Sequence, residues 1–176
     1  MHTLKYTLLF LLLFVIPFSG QAAQLKTADY RLSITARTPE QIGAFYEARG
    51  FPKQAVNLLK QQCYLTVYFR NTSSKVIWLE LDNWQFSTTR MKLQRKDRQY
   101  WKQVWTEMGL AMRFQSTFRW TLMPEQLDFR PHEREGGNLI LPYTPDAISL
   151  QATISILNNN TQQRKMIKMD NIRCKR

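Results

Sequence analysis

The side chains able to do covalent or metal chemistry are few: two cysteines, Cys63 and Cys174, and two histidines, His2 and His132, in a chain of 176 residues. A Ser-His-Asp or Cys-His nucleophile needs a histidine base within hydrogen-bond reach. His132 lies in a charged turn beside Glu133 and Glu135, and His2 stands at the extreme N-terminus. The chain has no Gly-Xaa-Ser-Xaa-Gly elbow, no Cys-Xaa-Xaa-Cys pair and no glycine-rich phosphate loop. One histidine and two cysteines do not make a zinc site. Met166, Met169 and Cys174, or Met108 and Met112, are soft donors of the kind Cu(I) takes, but positions 166 and 169 of one strand face opposite ways. No metal, cofactor or catalytic residue is therefore expected. The acid pairs Glu133/Glu135 and Glu80/Asp82 keep one enzymatic alternative open, a carboxylate-type hydrolase of envelope glycan.

The N-terminus reads as a targeting segment. Lys5 supplies a positive start, Tyr6 to Phe18 is almost unbroken apolar sequence, and Ser19, Gly20, Ala22 and Ala23 are small. That run is shorter than the roughly 20 residues a spanning helix needs. Residues 1–22 are read as a cleaved signal peptide and 23–176 as one domain, which predicts a periplasmic or secreted protein. An even cysteine count in an exported chain predicts a Cys63–Cys174 disulfide. It would close a loop of about 110 residues, worth up to about 4.7 kcal/mol in the chain-entropy model.

Charge carries the remaining functional signal. Lys and Arg number 25 against 13 Asp and Glu, a net +12. Removal of Lys5 with the signal leaves +11, and ten of those charges fall in two short stretches. The first holds Arg90, Lys92, Arg95, Lys96, Arg98 and Lys102 against Asp97. The second holds Arg164, Lys165, Lys168, Arg173, Lys175 and Arg176 against Asp170. Confined charge of this kind makes a local field for an anion. Arg90, Lys92, Arg95, Lys96, Arg98, Lys102, Arg164, Lys165, Lys168 and Arg173 are the anion-binding candidates. Trp101 and Trp105 beside the first stretch are interface candidates, in the manner of an interfacial helix. Export disfavours nucleic acid as the partner and favours an anionic envelope component or an envelope protein.

These residues must be positioned by a mainly β fold. Tyr30 to Arg37 alternates apolar and polar residues, a strand with one wet face. Thr38-Pro39-Glu40-Gln41 is a capping box, Gly50 a helix stop, and Pro52 the start of a second helix, so a helical pair spans 38–62. Cys63–Phe69 and Val76–Leu81 read as a hairpin around Asn71–Lys75. Trp84–Thr88 continues the β region and Met91–Arg95 adds an edge strand. Asp97 caps a helix that Gly109 ends. Thr117–Leu122 alternates and reads as a strand, Pro131–Gly137 as a polar turn, and Asn138–Leu141 and Ile148–Ile156 as strands. Asn158–Thr161 reads as a turn before a last basic strand, Arg164–Cys174, with Met166 and either Met169 or Ile172 facing inward. The sum is an immunoglobulin-like antiparallel β-sandwich of about seven or eight strands. A helical pair follows its first strand and one helix lies mid-chain. The function this predicts is a non-catalytic exported binding or assembly module that meets an anionic envelope component through a basic patch. The alternatives are the hydrolase and an accessory subunit docking through an apolar groove between the helical pair and the sandwich.

Overall fold

The computed structural model describes residues 22–158 and 161–176. The signal-peptide expectation and the centre of the Asn158–Thr161 turn lie outside the described residues. The order is β1 (Ala23–Lys26), β2 (Tyr30–Arg37), α1 (Pro39–Glu47), α2 (Lys53–Lys60), β3 (Gln62–Asn71), β4 (Val76–Ser87) and β5 (Lys92–Leu93). Then follow α3 (Arg98–Glu107), α4 (Met112–Thr121), β6 (Gln126–Phe129), β7 (Arg134–Pro142), β8 (Ile148–Asn158) and β9 (Thr161–Ile172). The strands form two antiparallel sheets, β1-β2-β3-β7 and β5-β4-β8-β9, with β6 also paired to β4. The fold is mainly β with inserted helices; this strand order stops short of an immunoglobulin-like connectivity.

Three layers result. Inward residues of both sheets, among them Ile34, Leu65, Val67, Leu139, Leu79, Leu150 and Ile154, form one core. A second core lies on the other face of the four-stranded sheet, where Tyr64 of β3 and Ile140 of β7 meet Tyr46, Leu59, Trp101, Trp105 and Phe118 from the helices. The sheet is thus sandwiched between its partner sheet and a helical layer, each contact burying apolar surface. The Cys63–Cys174 disulfide joins β3 to the segment after β9 and so fastens one sheet to the other. Such bonds persist in oxidising, extracytoplasmic surroundings. Among the described residues no helix is long and apolar enough to cross a membrane.

Local chemistry explains the helices. Thr38 and Gln41 make both bonds of the capping box, with Pro39 in the first turn. The Asp97 side chain accepts from the Tyr100 amide, 2.7 Å away, and starts α3. Gly109, at φ 67°, lets the chain reverse into α4.

Several expectations are corrected. Thr117–Thr121 is the end of α4, with Leu122 its extended C-cap, and not a strand, so two helices lie mid-chain. Phe114, Phe118 and Leu122 recur every four residues and pack inward, while Trp120, which alternation would have buried, is 86% exposed. Cys63–Phe69 and Val76–Leu81 are no hairpin, because β3 and β4 belong to different sheets. The buried Asn71 side chain donates to the carbonyls of Lys75, Phe129 and Arg130, and it turns the chain from one sheet to the other. The polar turn is shorter than Pro131–Gly137, since Arg134–Gly137 already belong to β7. Gly137 sits there because a Cβ would meet the Met123 nitrogen at 2.4 Å, where the chain crosses on its way out of α4. Met166 points outward at 65% exposure; Ile167 and Met169 are the inward residues of β9. A register shift between Ile148 and Leu150 then lets Ile172 face inward too.

Candidate functional site

The most unusual face of the molecule is the half of the four-stranded sheet that the helices leave uncovered. In β2, Tyr30, Leu32 and Ile34 face the core, so Arg31, Ser33, Thr35 and Arg37 face outward. The pairing register sets Lys26 opposite Arg31, Arg31 opposite Arg70, and Arg70 opposite Arg134. Four cations from four strands therefore stand in one row, about 14 Å long at the usual strand spacing. Among the described residues none of the four lies within ion-pair distance of a carboxylate. The Arg70 Nε is buried and has no hydrogen-bond partner. Like charges directly opposed on a sheet repel, and an unpaired buried donor adds its own desolvation penalty.

Beyond this row come Gln24, Ser33, Tyr68 and Gly136, then Thr35, Thr66 and Asn138, and finally Arg37, Tyr64 and Ile140 under the helices. A groove of about 700 Å³ opens here between α1, α4 and the sheet, bordered by Phe45, Tyr68 and Trp120. Its floor is fixed by a chain of hydrogen bonds. Arg37 Nε donates to Thr66 Oγ1 at 2.8 Å, Thr66 donates to Asn138 Oδ1 at 2.9 Å, and Asn138 Nδ2 donates to the Thr121 carbonyl at 2.9 Å. The Tyr46 and Tyr64 hydroxyls are hydrogen-bonded to each other, and Tyr46 also bonds to Thr121. Burial pushes the Tyr64 phenol well above its ordinary value, and burial raises Tyr46 as well. Both are neutral at physiological pH. The face presents fixed donors, aromatic edges and a dense positive charge to whatever rests on it.

The sequence-predicted residues are placed differently. Lys92 of β5 and Lys168 of β9 stand at opposite edges of the other sheet, with β4 and β8 between them. The two basic stretches thus contribute to opposite edge strands of that sheet. Within the first, Arg95 is nearly buried and pairs with Glu125 at 2.6 Å and with Asp82 at 3.2 Å. Arg90 pairs with Asp146 at 2.9 Å. Lys96 donates to Gln62 Oε1 at 2.7 Å and lies over the Tyr100 ring. Arg98 Nη2 donates to the Leu122 carbonyl at 3.0 Å. In the second stretch Lys165 pairs with Asp29. Lys92, Lys102, Arg164, Lys168 and Arg173 remain exposed.

Trp101 and Trp105 are corrected as surface contacts. Each is 1% exposed, their rings stack with centroids 5.0 Å apart, and both press on Phe118. The i, i+4 spacing that made them a stripe turns that stripe onto α4 and the sheet. Each member of the acid pairs has a local partner. Glu133 accepts from the Arg130 amide and Glu135 from the Gly136 amide. Glu80 accepts from Trp78 and Asn83, and Asp82 belongs to Arg95.

The row Lys26–Arg31–Arg70–Arg134 was missed because its members are scattered through a part of the sequence that is close to neutral overall. Only strand order brings them together. The single available signal was the outward phase of Arg31 in an alternating strand.

No protein-family model matches this chain, and no curated protein does. Among solved structures it is similar to a candidate lipoprotein of Bacillus subtilis subsp. subtilis, at 10% identity and a TM-score of 0.43. The match covers 86% of this chain and 39% of the other, so the chain spans well under half of that protein's length.

Proposed function

We propose that this protein is an exported, non-catalytic binding module that holds an acidic glycan of the cell envelope on the open face of its four-stranded sheet. The observation that carries the reading is the unpaired cationic row Lys26, Arg31, Arg70 and Arg134. An anionic chain laid across it relieves the repulsion and supplies acceptors to guanidinium forks, which grip carboxylate and phosphate in bidentate fashion. Tyr68 and Trp120 add flat apolar surfaces beside the charges, suited to the ring faces of sugars. Export rests on the apolar leader at 6–18 and on the disulfide.

The test compares heparin, as a defined acidic glycan, with neutral dextran across a salt series. Heparin should bind, dextran should not, and affinity should fall steeply with salt. The variant Lys26→Gln/Arg31→Gln/Arg134→Gln should lose at least tenfold in affinity. Lys92→Gln/Lys168→Gln removes two exposed charges elsewhere and should lose less than threefold. Equal losses in the two variants overturn the reading.

A second reading, an accessory subunit of an envelope protein complex, is favoured by Trp120, a tryptophan left 86% exposed on the border of the same groove. Cross-linking in cells from position 120 separates the two, since this reading requires one protein partner and the first requires glycan.

A further inference from the structure

A second cleft lies away from the cationic row, between α3 and α4. It has a volume of about 510 Å³, within the range of small-molecule sites, and is bordered by Arg98, Lys102, Arg119, Trp105, Phe118 and Met112 among others. Gln99, Gln115 and Ser116 also line it, and Gln115 Nε2 donates to the Leu110 carbonyl at 2.7 Å. Trp101 and Trp105, each 99% buried, form its walls, with their indole nitrogens beneath its surface.

The cleft also has a direction. Arg98 opens α3 and bonds to the Leu122 carbonyl at the end of α4, which puts the start of one helix beside the end of the other. Arg98 and Arg119 therefore share one end. Burial lowers the Arg98 pKa, Glu125 opposes that shift, and the nearby charges of Arg119 and Arg95 add to it. Glu125 is itself held by Arg95, so it does not neutralise this end outright. At the far end the chain turns through Gly109, and Met112 is 72% exposed on the first turn of α4 beside Trp105. Arg98 to Trp105 is about 10 Å along the helix axis at the usual rise.

We infer that this cleft binds a small amphiphilic anion, an acyl carboxylate, with its head group at Arg98 and Arg119 and its chain running past Phe118 and Trp105 toward Met112. The inference is independent of glycan binding on the sheet, because the two sites share no residue.

The experiment titrates the mature chain with decanoate below its micelle concentration and follows tryptophan emission, with decanol and decylammonium as controls. Decanoate should bind saturably and change the emission. Decanol should bind at least tenfold more weakly, and decylammonium should not bind. Arg119→Gln, an exposed position whose change leaves the packing intact, should weaken decanoate at least tenfold. Lys102→Gln provides the second variant should the first fail to fold, with about a threefold loss. The triple variant of the sheet row should bind decanoate as the parent does. Decanol binding within twofold of decanoate overturns the inference, and so does an unchanged affinity in Arg119→Gln or Lys102→Gln.

Discussion

Arg95 and Arg31 carry the same charge in opposite surroundings. Arg95 belongs to a run of basic residues in the sequence, and the fold hands it two carboxylates, Glu125 and Asp82. Arg31 is the lone arginine of an alternating strand, and the fold hands it two cations, Lys26 and Arg70, as its cross-strand neighbours. The first region is continuous in sequence, and two of its six cations, Arg90 and Arg95, are paired with carboxylates; the second is scattered in sequence and concentrated in space. Ion pairing inside a fold is a structural device, and its side chains are already occupied. Unopposed like charge lowers stability, so it needs a reason outside the folded chain alone, and a bound anion is such a reason.

The contrast predicts that the second basic stretch is first of all an anchor. Removal of the disulfide by Cys63→Ala/Cys174→Ala frees the segment after β9 from β3 and should lower stability by about 4 kcal/mol in urea unfolding. Heparin affinity measured where the variant is still folded should stay within threefold of the parent. A large loss of affinity in the folded variant would make the C-terminal cations part of the binding face.

Arg95→Ala comes next. It takes the guanidinium from Glu125, which is partly buried and keeps only the Arg98 amide at 3.4 Å, and should cost about 2 kcal/mol, below the range for fully buried pairs because Asp82 is largely solvated. Heparin affinity should hardly move. If affinity drops in proportion to that of the sheet-row variants, the division between structural and binding cations collapses.

The same contrast shows what could be read from sequence. Short-range chemistry was legible: the Thr38–Gln41 capping box, the Asp97 cap and the reversal at Gly109 depend on residues within a turn of one another. The disulfide was legible because only two cysteines exist. Helix α4 was lost to a coincidence of periods: Phe118, Trp120 and Leu122 alternate, while Phe114, Phe118 and Leu122 recur at four, and packing against Trp101 and Trp105 decides for the latter. Asn71–Lys75 carries hairpin turn chemistry, yet Asn71 spends its amide on carbonyls from before β7, which lie some sixty residues on. The cationic row is the extreme case. Its four members are informative only after β1, β2, β3 and β7 have been put side by side.

A neutral groove floor is the third expectation. Burial raises the Tyr46 and Tyr64 pKa values, so the folded state keeps protons that the unfolded chain releases near pH 10. Above that pH the unfolded state binds fewer protons, and stability falls as pH rises, by up to about 1.4 kcal/mol per pH unit for each group. A Tyr46→Phe/Tyr64→Phe variant should show a flatter decline between pH 9.5 and 11. If the parent instead gained stability there, a phenolate would be balancing Arg37 and the row, and the face would not be unopposed.

The smallest effect is the most pointed. Arg31→Gln removes the charge between Lys26 and Arg70 without touching the core. In the absence of any polyanion it should raise stability by about 0.5 kcal/mol, the scale of a cross-strand charge pair. The gain should shrink at 1 M salt, where the screening length falls to about 3 Å. The same change should weaken heparin binding about threefold to fivefold. A substitution that stabilises the free protein and weakens its complex is the signature of a residue kept for binding, whereas Arg95→Ala should destabilise the free protein and leave its complex nearly unchanged. Were Arg31→Gln to destabilise the protein, the row would hold partners of its own and would belong with Arg95.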